Sequence, residues 1–396
     1  MNRQLFYPTL CLLLPALAQA QLTDRNGGLP FRYTHNQLQF RLFAPNAKEV
    51  RLAGWDIVSY TGNARSGEKS FPGIPLRKDS AGTWTVTLPN MDPNPYQYFY
   101  WVDGVRTLDP GNRNTLTTYQ QPFSVAEVTR PGKPAFWQRQ AVPHGTVHHL
   151  TYFSQVLQTE RPLVVYTPPG YETGRALYPV LYLLHGAGEI AGSWIEAGKA
   201  NQIADNLIAQ GRARPCLIVM PLGHPDGLDG RVDSNLLAGP HRFSWMEKEL
   251  LENIIPLTER KFRARRDQRY RALAGLSMGA AQTTYIGLRH PNLFDYIGIF
   301  SAGDKNLRGN HAGFMSDPAK ANRELKLLFL GVGDRDRVGH TPGEGESGIY
   351  HQCKNMSEQL SASGIRHRLR ILPETDHTWY AWRRLLHDDF LPALWK

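Results

Sequence analysis

The chain contains little cysteine, no long apolar run, and no internal repeat or low-complexity segment. Only three of its 396 residues are cysteines, and Cys11 falls within an apolar amino-terminal stretch. Cys216 opens a further apolar run, which favours a buried thiol over a disulfide with Cys353. No segment reaches the roughly eighteen uninterrupted apolar residues of a transmembrane helix. These absences argue against a disulfide-built scaffold and against a membrane span.

Acidic residues are the minority among the charged ones, with 35 Asp and Glu against 45 Lys and Arg, for a net charge of +10. The basic residues are scattered in short pieces such as residues 260–266, where Phe262 is the single interleaved aromatic residue. No nucleic-acid-binding motif accompanies them. We therefore predict a solvated basic face and no nucleic-acid partner, with loose attraction to acidic polysaccharide or envelope surfaces as the alternative.

The amino end has the features of a secretory signal. Arg3 supplies a positive charge, residues 10–17 form an apolar core, and Ala18-Gln19-Ala20 is a small-residue cleavage site. We predict that residues 1–20 are a signal peptide cleaved after Ala20 and that the protein is exported. The choice between a periplasmic and a secreted protein stays open.

Residues 21–127 are predicted to form an all-β domain. Strand-like patterns occur in four runs: residues 38–43, 50–53, 83–88 and 96–102. Short strands separated by turns predict a small β-sandwich. Tyr96, Tyr98 and Tyr100 share one strand face, and we expect them to pack on the domain that follows rather than to stack on sugar rings.

The proline-rich segment at residues 128–143 is predicted to be a linker between the two domains. Strand-like and helix-like runs then alternate through residues 144–396. The continuous apolar run at residues 180–184 is typical of a strand covered on both faces. Alternation of this length predicts the α/β class, with a doubly wound and mainly parallel sheet.

The motif G-L-S-M-G, residues 275–279, lies between a strand-like and a helix-like run. In that context G-x-S-x-G indicates a nucleophile elbow, whose sharp turn exposes the hydroxyl of Ser277. Glycines flank it because a Cβ at either site would collide with the neighbouring strand or helix. A serine that simply caps a helix is the alternative.

An activated serine needs a base, and the base needs a carboxylate that orients it. His377 lies in the loop after one later strand, and Asp334 and Asp336 lie in the loop after the strand before it, which gives the order serine, acid, histidine. We predict His377 as base and Asp336 as acid, with Asp334 as the alternative, because a carboxylate at the far end of the loop reaches further. Three competing histidines have less suitable positions: His340, His351 and His387.

The oxyanion of a tetrahedral intermediate needs two hydrogen-bond donors. We predict the backbone N–H of Met278, which follows the serine, and the N–H of Ala187 in the loop after residues 180–184. Gly188 is the alternative to Ala187. The chemistry calls for no metal and no cofactor.

The second domain resembles the esterase D family, and within it the feruloyl and acetyl-xylan esterases of carbohydrate esterase family one. The matching runs are V-L-Y-L-L-H-G-A-G (180–188) with Trp194, A-D-N-L (204–207), A-L-A-G-L-S-M-G (272–279), G-D-R-D (333–336) and His377. The resemblance covers residues 142–394 and implies an α/β-hydrolase fold with the site residues given above. It departs at Ala280 and Ala281, where these esterases usually have glycines.

The amino-terminal domain resembles the immunoglobulin-like modules of carbohydrate-binding module family 48, which implies an all-β immunoglobulin-like sandwich. The matching runs are F-A-P-N-A (43–47), V-R-L (50–52), G-T-W (82–84), Y-F-Y-W-V-D-G (98–104) and D-P (109–110). The resemblance implies a glycan-associated module, although these positions mainly maintain the fold.

Together these features predict an exported serine carboxylesterase that acts on acyl esters of plant cell-wall polysaccharide, with feruloyl groups foremost. Acetyl-xylan esterase, siderophore (enterobactin-type) trilactone esterase, acyl transfer to a sugar, and a non-catalytic glycan-binding protein are the alternatives. Trp194, Trp379 and Trp382 are candidate walls for an aromatic acyl group, at least one of them being expected in the core. The predicted partner is a feruloylated or acetylated saccharide, and the oligomeric state stays open.

Overall fold

The computed structural model describes residues 29–57, 72–130, 134–226, 243–339 and 347–396. The predicted signal peptide and His340 lie outside these residues. Within the described ranges, no helix has the length and apolar character needed to cross a membrane.

The described part of the amino-terminal region is built from ten short strands in two sheets. They are β1 (Phe31–Thr34), β2 (Gln37–Phe43), β3 (Val50–Ala53), β4 (Ile74–Pro75), β5 (Arg77–Lys78), β6 (Thr83–Leu88), β7 (Pro95–Val102), β8 (Val105–Thr107), β9 (Thr115–Leu116) and β10 (Phe123–Glu127). One sheet has the order β1-β2-β6-β5 and the other β4-β3-β7-β10-β9, with β8 beside β7. All their pairings are antiparallel, so the region is all-β as predicted.

The tyrosines of β7 correct one expectation. Tyr96, Tyr98 and Tyr100 do share one face, but that face packs into the core of the amino-terminal region and not on the second domain. The buried Tyr98 hydroxyl donates to Asp109 Oδ2 at 2.7 Å, which satisfies a polar group that has lost contact with water. Burial and the Asp109 charge raise the pKa of Tyr98 far above its ordinary value. Strand alternation predicts which residues share a face, but not what covers it.

The second region is organised around one eight-stranded sheet. Its strands are β11 (Thr146–Ser154), β12 (Thr159–Thr167), β13 (Val180–Leu184), β14 (Leu217–Pro221), β15 (Arg271–Leu276), β16 (Tyr296–Phe300), β17 (Leu327–Gly333) and β18 (Arg368–Leu372). The order is β11-β12-β14-β13-β15-β16-β17-β18. Strands β11 and β12 are antiparallel to their neighbours, and the pairings from β14 to β18 are parallel.

Helices cover both faces of this sheet. They are α1 (Ser193–Glu196), α2 (Ala200–Ala209), α3 (Ser244–Lys248), α4 (Ile255–Lys261), α5 (Met278–Gly287), α6 (Leu307–Asn310), α7 (Ala312–Met315), α8 (Pro318–Glu324), α9 (Ile349–Ala362), α10 (Trp379–Arg384) and α11 (Leu391–Ala393). Single π-helical turns join α3 to α4 and α10 to α11. Leu181 and Leu183 pack into one core and Tyr182 and Leu184 into another, which explains why β13 is apolar throughout. The predicted α/β class is confirmed.

The two regions are packed against each other. Leu116 and Val125 of the amino-terminal region belong to the same buried cluster as Trp379 of α10. Arg383, also on α10, is fully buried, and its guanidinium donates to both carboxylate oxygens of Glu127 at 2.8 and 3.1 Å. The predicted linker joins this packing, because Trp137 is buried in the same cluster. The described part of residues 128–143 is therefore not a free tether.

Candidate active site

The G-x-S-x-G motif forms a tight turn between β15 and α5. Ser277 has φ +51° and ψ −116°, a strained conformation for a residue with a Cβ. A Cβ on Gly275 would lie 2.4 Å from the backbone of Gly279, and one on Gly279 would lie 2.5 Å from the carbonyl oxygen of His185. Both glycines are thus required by close backbone approach, as the sequence predicted. Ala280 is buried in the core and does not narrow the pocket.

Three predicted side chains form one hydrogen-bonded line. His377 Nδ1 lies 2.8 Å from Asp336 Oδ2, and His377 Nε2 lies 3.0 Å from Ser277 Oγ. A carboxylate only accepts, so Nδ1 carries the hydrogen and Nε2 is left to accept from the serine hydroxyl. Asp336 is fully buried and His377 nearly so, whereas Ser277 is half-buried beside a pocket.

Asp334 occupies the other position that the sequence left open. Its Oδ1 accepts a hydrogen bond from the N–H of Thr375 at 3.2 Å, within the loop that carries His377. Asp334 therefore shapes that loop, and Asp336 contacts the histidine. His351 lies on α9 and His387 in the π-helical turn after α10, which matches the helical positions that made them poor candidates.

A second loop, residues 185–189, lies against the serine and is called the His185 loop below. A Cβ on Gly186 would lie 2.7 Å from Leu276 Cδ1 and 3.3 Å from Ser277 Cβ, so the backbone of this loop packs closely against both residues. Among the described residues, neither the N–H of Ala187 nor that of Met278 donates to a hydrogen-bond acceptor. Ala187 is exposed and lines the same pocket as Ser277. Both amides are therefore free to bind a ligand oxygen, and their role as oxyanion donors stays a prediction.

His185 fixes the start of this loop. Its Nδ1 lies 2.8 Å from the carbonyl oxygen of Gly186, and its Nε2 accepts from the N–H of Gly223 at 2.8 Å. Both ring nitrogens are used by the neutral form, and burial lowers the pKa of His185 to about 3. Burial also raises the pKa of Glu189 to about 8, against the opposing effect of the Gly186 N–H that it accepts.

Both regions of the chain line the pocket at Ser277, which has a volume of about 370 Å³. The second region contributes residues 186–189 of the His185 loop together with Leu276, Ser277, Val338, His377 and Trp382. The amino-terminal region contributes six residues: Trp55, Gln97, Thr118, Gln120, Gln121 and Phe123. Sequence reasoning missed these six, because no local signal shows which face of a β-sandwich will cover a neighbouring domain.

The three predicted pocket tryptophans have different positions. Trp382 lines the pocket, meets the His377 ring edge-on at 5.0 Å, and donates from Nε1 to Ser301 Oγ. Trp194 and Trp379 are fully buried, pack edge to face at 5.3 Å, and do not line the pocket. The expected wall role is therefore wrong for Trp194 and Trp379, which belong to a buried core cluster that also contains Leu276.

Most of this chain is similar in sequence to known proteins. Residues 154–392 match the family model Esterase, described as "Putative esterase". An endo-1,4-beta-xylanase/feruloyl esterase of Xylanibacter ruminicola is 32% identical over 362 residues, a match that covers 90% of this chain and 44% of that protein. The chain thus spans less than half the length of this relative.

Solved structures of esterases are similar to this chain in fold. A CE1 ferulic acid esterase from the anaerobic fungus Anaeromyces mucronatus is 26% identical, with a TM-score of 0.52 over 66% of this chain and 97% of that one. The enterobactin esterase of Shigella flexneri is 14% identical, with a TM-score of 0.63 over 92% and 95% of the two chains, and shows a shared fold alone. The α/β-hydrolase fold and the resemblance to family-one feruloyl esterases are confirmed. The resemblance to carbohydrate-binding module family 48 stays a prediction.

Proposed function

We propose that this chain, which belongs to the Esterase family of carboxylic ester hydrolases, releases ferulate from feruloyl esters of plant cell-wall polysaccharide. The observation that carries the proposal is the hydrogen-bonded line of Ser277, His377 and Asp336, which opens into a pocket with aromatic walls. The names of two relatives, a xylanase/feruloyl esterase and a ferulic acid esterase, support the acyl group.

In the proposed mechanism Ser277 is the nucleophile and His377 the general base. As Ser277 Oγ bonds to the ester carbonyl carbon, its proton moves to His377 Nε2, and Asp336 stabilises the imidazolium through Nδ1–H. The N–H groups of Met278 and Ala187 donate to the oxyanion, a contribution of about 10²–10³ in rate per donor. The carbon–oxygen bond to the sugar then breaks, and the sugar oxygen takes the proton from His377.

The acyl-enzyme is hydrolysed by the same groups in reverse. The water oxygen attacks the acyl carbon while a water proton moves to His377. The second oxyanion then collapses, the bond to Ser277 Oγ breaks, and Oγ recovers the proton from His377 as ferulate leaves. No group outside the chain, the ester and water takes part.

The pocket supports an aromatic acyl group. Its volume falls at the small end of the range of about 300–1,000 Å³ for ligand pockets. Trp55, Phe123 and Trp382 give it three aromatic side chains, and aromatic pairs contribute about 0.5–1.5 kcal/mol beyond the area they bury. Gln97, Gln120 and Gln121 add amide groups that can bind phenolic or sugar hydroxyls. The signal-like residues 1–20 further support export, since polysaccharide is met outside the cytoplasm.

The test is release of free ferulate from methyl ferulate and feruloylated arabinoxylan, with p-nitrophenyl acetate alongside and Ser277→Ala as control. We expect ferulate release from both feruloyl substrates and a loss on the order of a thousandfold or more in the variant. Acetate hydrolysis without ferulate release would reject the feruloyl assignment and favour acetyl or trilactone esters. Activity retained by Ser277→Ala would reject the catalytic assignment itself.

A further inference from the structure

The amino-terminal region contacts the His185 loop directly. A segment at residues 117–121, called the Tyr119 loop below, lies between β9 and β10 and reaches across to the second region. The backbone N–H of Tyr119 donates to the carbonyl oxygen of Gly188 at 2.7 Å, a short bond for an amide donor. Gly188 has φ +79°, a conformation that few other residues adopt without strain.

The contact has a second anchor on the helix that follows the His185 loop. The N–H of Thr117 donates to Glu196 Oε2 on α1 at 3.1 Å. Two amides of one amino-terminal loop are therefore bonded on either side of the short segment that joins the His185 loop to α1. A loop bonded at both points cannot shift without breaking one of them.

The Tyr119 side chain adds a third contact. Its ring stacks on His224, with the ring centroids 4.2 Å apart and the planes 24° from parallel. The neighbouring Gly223 is the residue whose N–H donates to His185. The His185 loop is thus fixed on one side by the second region's own backbone and on the other by the amino-terminal region.

We infer that Tyr119 is a positioning residue for ester hydrolysis, and that its backbone N–H, by binding the Gly188 carbonyl, sets the direction of the Ala187 amide toward the oxyanion. The inference rests on the proposed roles of Ser277 and Ala187, and it is independent of the acyl group. It assigns the amino-terminal region a part in the chemical step, separate from any part in binding glycan. An amide turned away from the oxyanion contributes nothing, so even a small rotation of this loop lowers the rate.

The test compares full-length Tyr119→Pro, which removes the N–H, with Tyr119→Ala, which removes the ring and keeps the N–H. The substrate is p-nitrophenyl acetate, too small to depend on glycan contacts. For Tyr119→Pro we expect kcat to fall by about tenfold to a hundredfold with KM little changed, part of the loss that follows complete removal of a donor. We expect a clearly smaller loss for Tyr119→Ala.

A boronic acid inhibitor gives a readout that general loosening would not reproduce. Its serine adduct is tetrahedral and presents an oxygen to the same amides, whereas acetate as product is planar. We expect Tyr119→Pro to weaken the boronate by the same factor as kcat/KM and to leave acetate inhibition unchanged. Equal weakening of both ligands would overturn the inference.

A second pair of variants covers the case in which Tyr119→Pro does not fold. The Thr118 hydroxyl donates to the Gln121 carbonyl at 2.6 Å and accepts from the Gln121 N–H at 3.1 Å, which closes the Tyr119 loop. Thr118→Val removes both bonds and Thr118→Ser restores them, so kcat should fall in the first and recover in the second. Wild-type kcat in Thr118→Val, wild-type kcat in a folded Tyr119→Pro, or equal losses in both Tyr119 variants would refute the inference. Loss of the Ser277 dependence would refute the proposed function instead.

Discussion

The two sides of the pocket differ in how the chain constructs them. On one side Ser277, Asp336 and His377 follow β15, β17 and β18, three strands from the parallel part of one sheet. On the other side Trp55, Thr118 and Phe123 come from loops and edges of a separate β-region. Neighbouring parallel strands end at one sheet edge, so the first side is fixed by strand order. The second side depends on how two independent cores pack together.

The two sides are proposed to have different roles: the first carries out the reaction, and the second determines which substrates the pocket accepts. The three proposed catalytic side chains are positioned by the strands that precede them, and the hydrogen bonds between them lie within the second region. The opposite wall is set by a packed interface, in which the Glu127–Arg383 ion pair and the Tyr119–Gly188 hydrogen bond join the regions. Changes on the first side should therefore affect kcat for every ester. Changes on the second should affect stability or substrate choice, except in the Tyr119 loop, whose hydrogen bond to the His185 loop should also affect kcat.

The side of the pocket that carries Ser277, Asp336 and His377 is tested most sharply by two variants, Asp336→Asn and Asp334→Asn. In Asp336→Asn an amide faces His377 Nδ1, the ring is no longer fixed in the tautomer that accepts from Ser277, and kcat should fall on the order of 10⁴-fold. Asp334→Asn keeps an oxygen for the Thr375 N–H and should stay close to wild type. Steady-state kinetics on p-nitrophenyl acetate decide. Similar losses in both variants would show that the acid is wrongly assigned.

The interface is tested by Glu127→Gln. The variant leaves the fully buried Arg383 without a charged partner, which costs about 3–5 kcal/mol when one member of such a pair is removed. Burial alone would raise the pKa of Glu127, but the Arg383 guanidinium lowers it below its ordinary value, as expected for a strong ion pair. Urea unfolding measures the loss.

The matched control for the interface is an exposed pair of the same kind. Arg335 and Glu374 are 3.6 Å apart with side chains 60% and 76% exposed, so Glu374→Gln should leave the urea midpoint unchanged. A midpoint for Glu127→Gln that equals the control would mean that the ion pair does not join the regions.

The sequence allowed much of the sheet side to be predicted, and little of the other. The strand Val180–Leu184 was predicted with its observed bounds because an uninterrupted apolar run of this length is typical of a strand covered on both faces. The serine followed from the strand-to-helix context of its motif, and the histidine from a strand-to-loop transition. Within the same region, however, the short helices α6, α7 and α8 have four to seven residues and too few turns to show a helical period. Trp382 could not be distinguished from Trp379, because burial against a pocket depends on tertiary packing.

A pH dependence should arise where the two sides meet, at His185. Its folded-state pKa of about 3 lies below the unfolded value of about 6.5, so between these values the unfolded chain binds more protons. Stability is full above pH 6.5 and should decrease by up to a few kcal/mol as pH falls toward 3. Urea unfolding between pH 4 and 8 should show this slope in the wild type and a weaker one in His185→Gln. Parallel pH profiles for the two proteins would remove His185 as the cause.

The smallest expected effect sharpens the comparison most, because it concerns substrate choice alone. Trp55 lines the pocket, whereas Trp101 packs in the same minor cluster of the amino-terminal region and does not line it. Trp55→Ala should raise KM for methyl ferulate by about tenfold, the value of one lost aromatic contact, and leave kcat/KM for p-nitrophenyl acetate unchanged. Trp101→Ala should change neither. A lower kcat of Trp55→Ala for both esters would mean that Trp55, like Tyr119, affects the chemical step. The distinction between the two sides of the pocket would then not hold at Trp55.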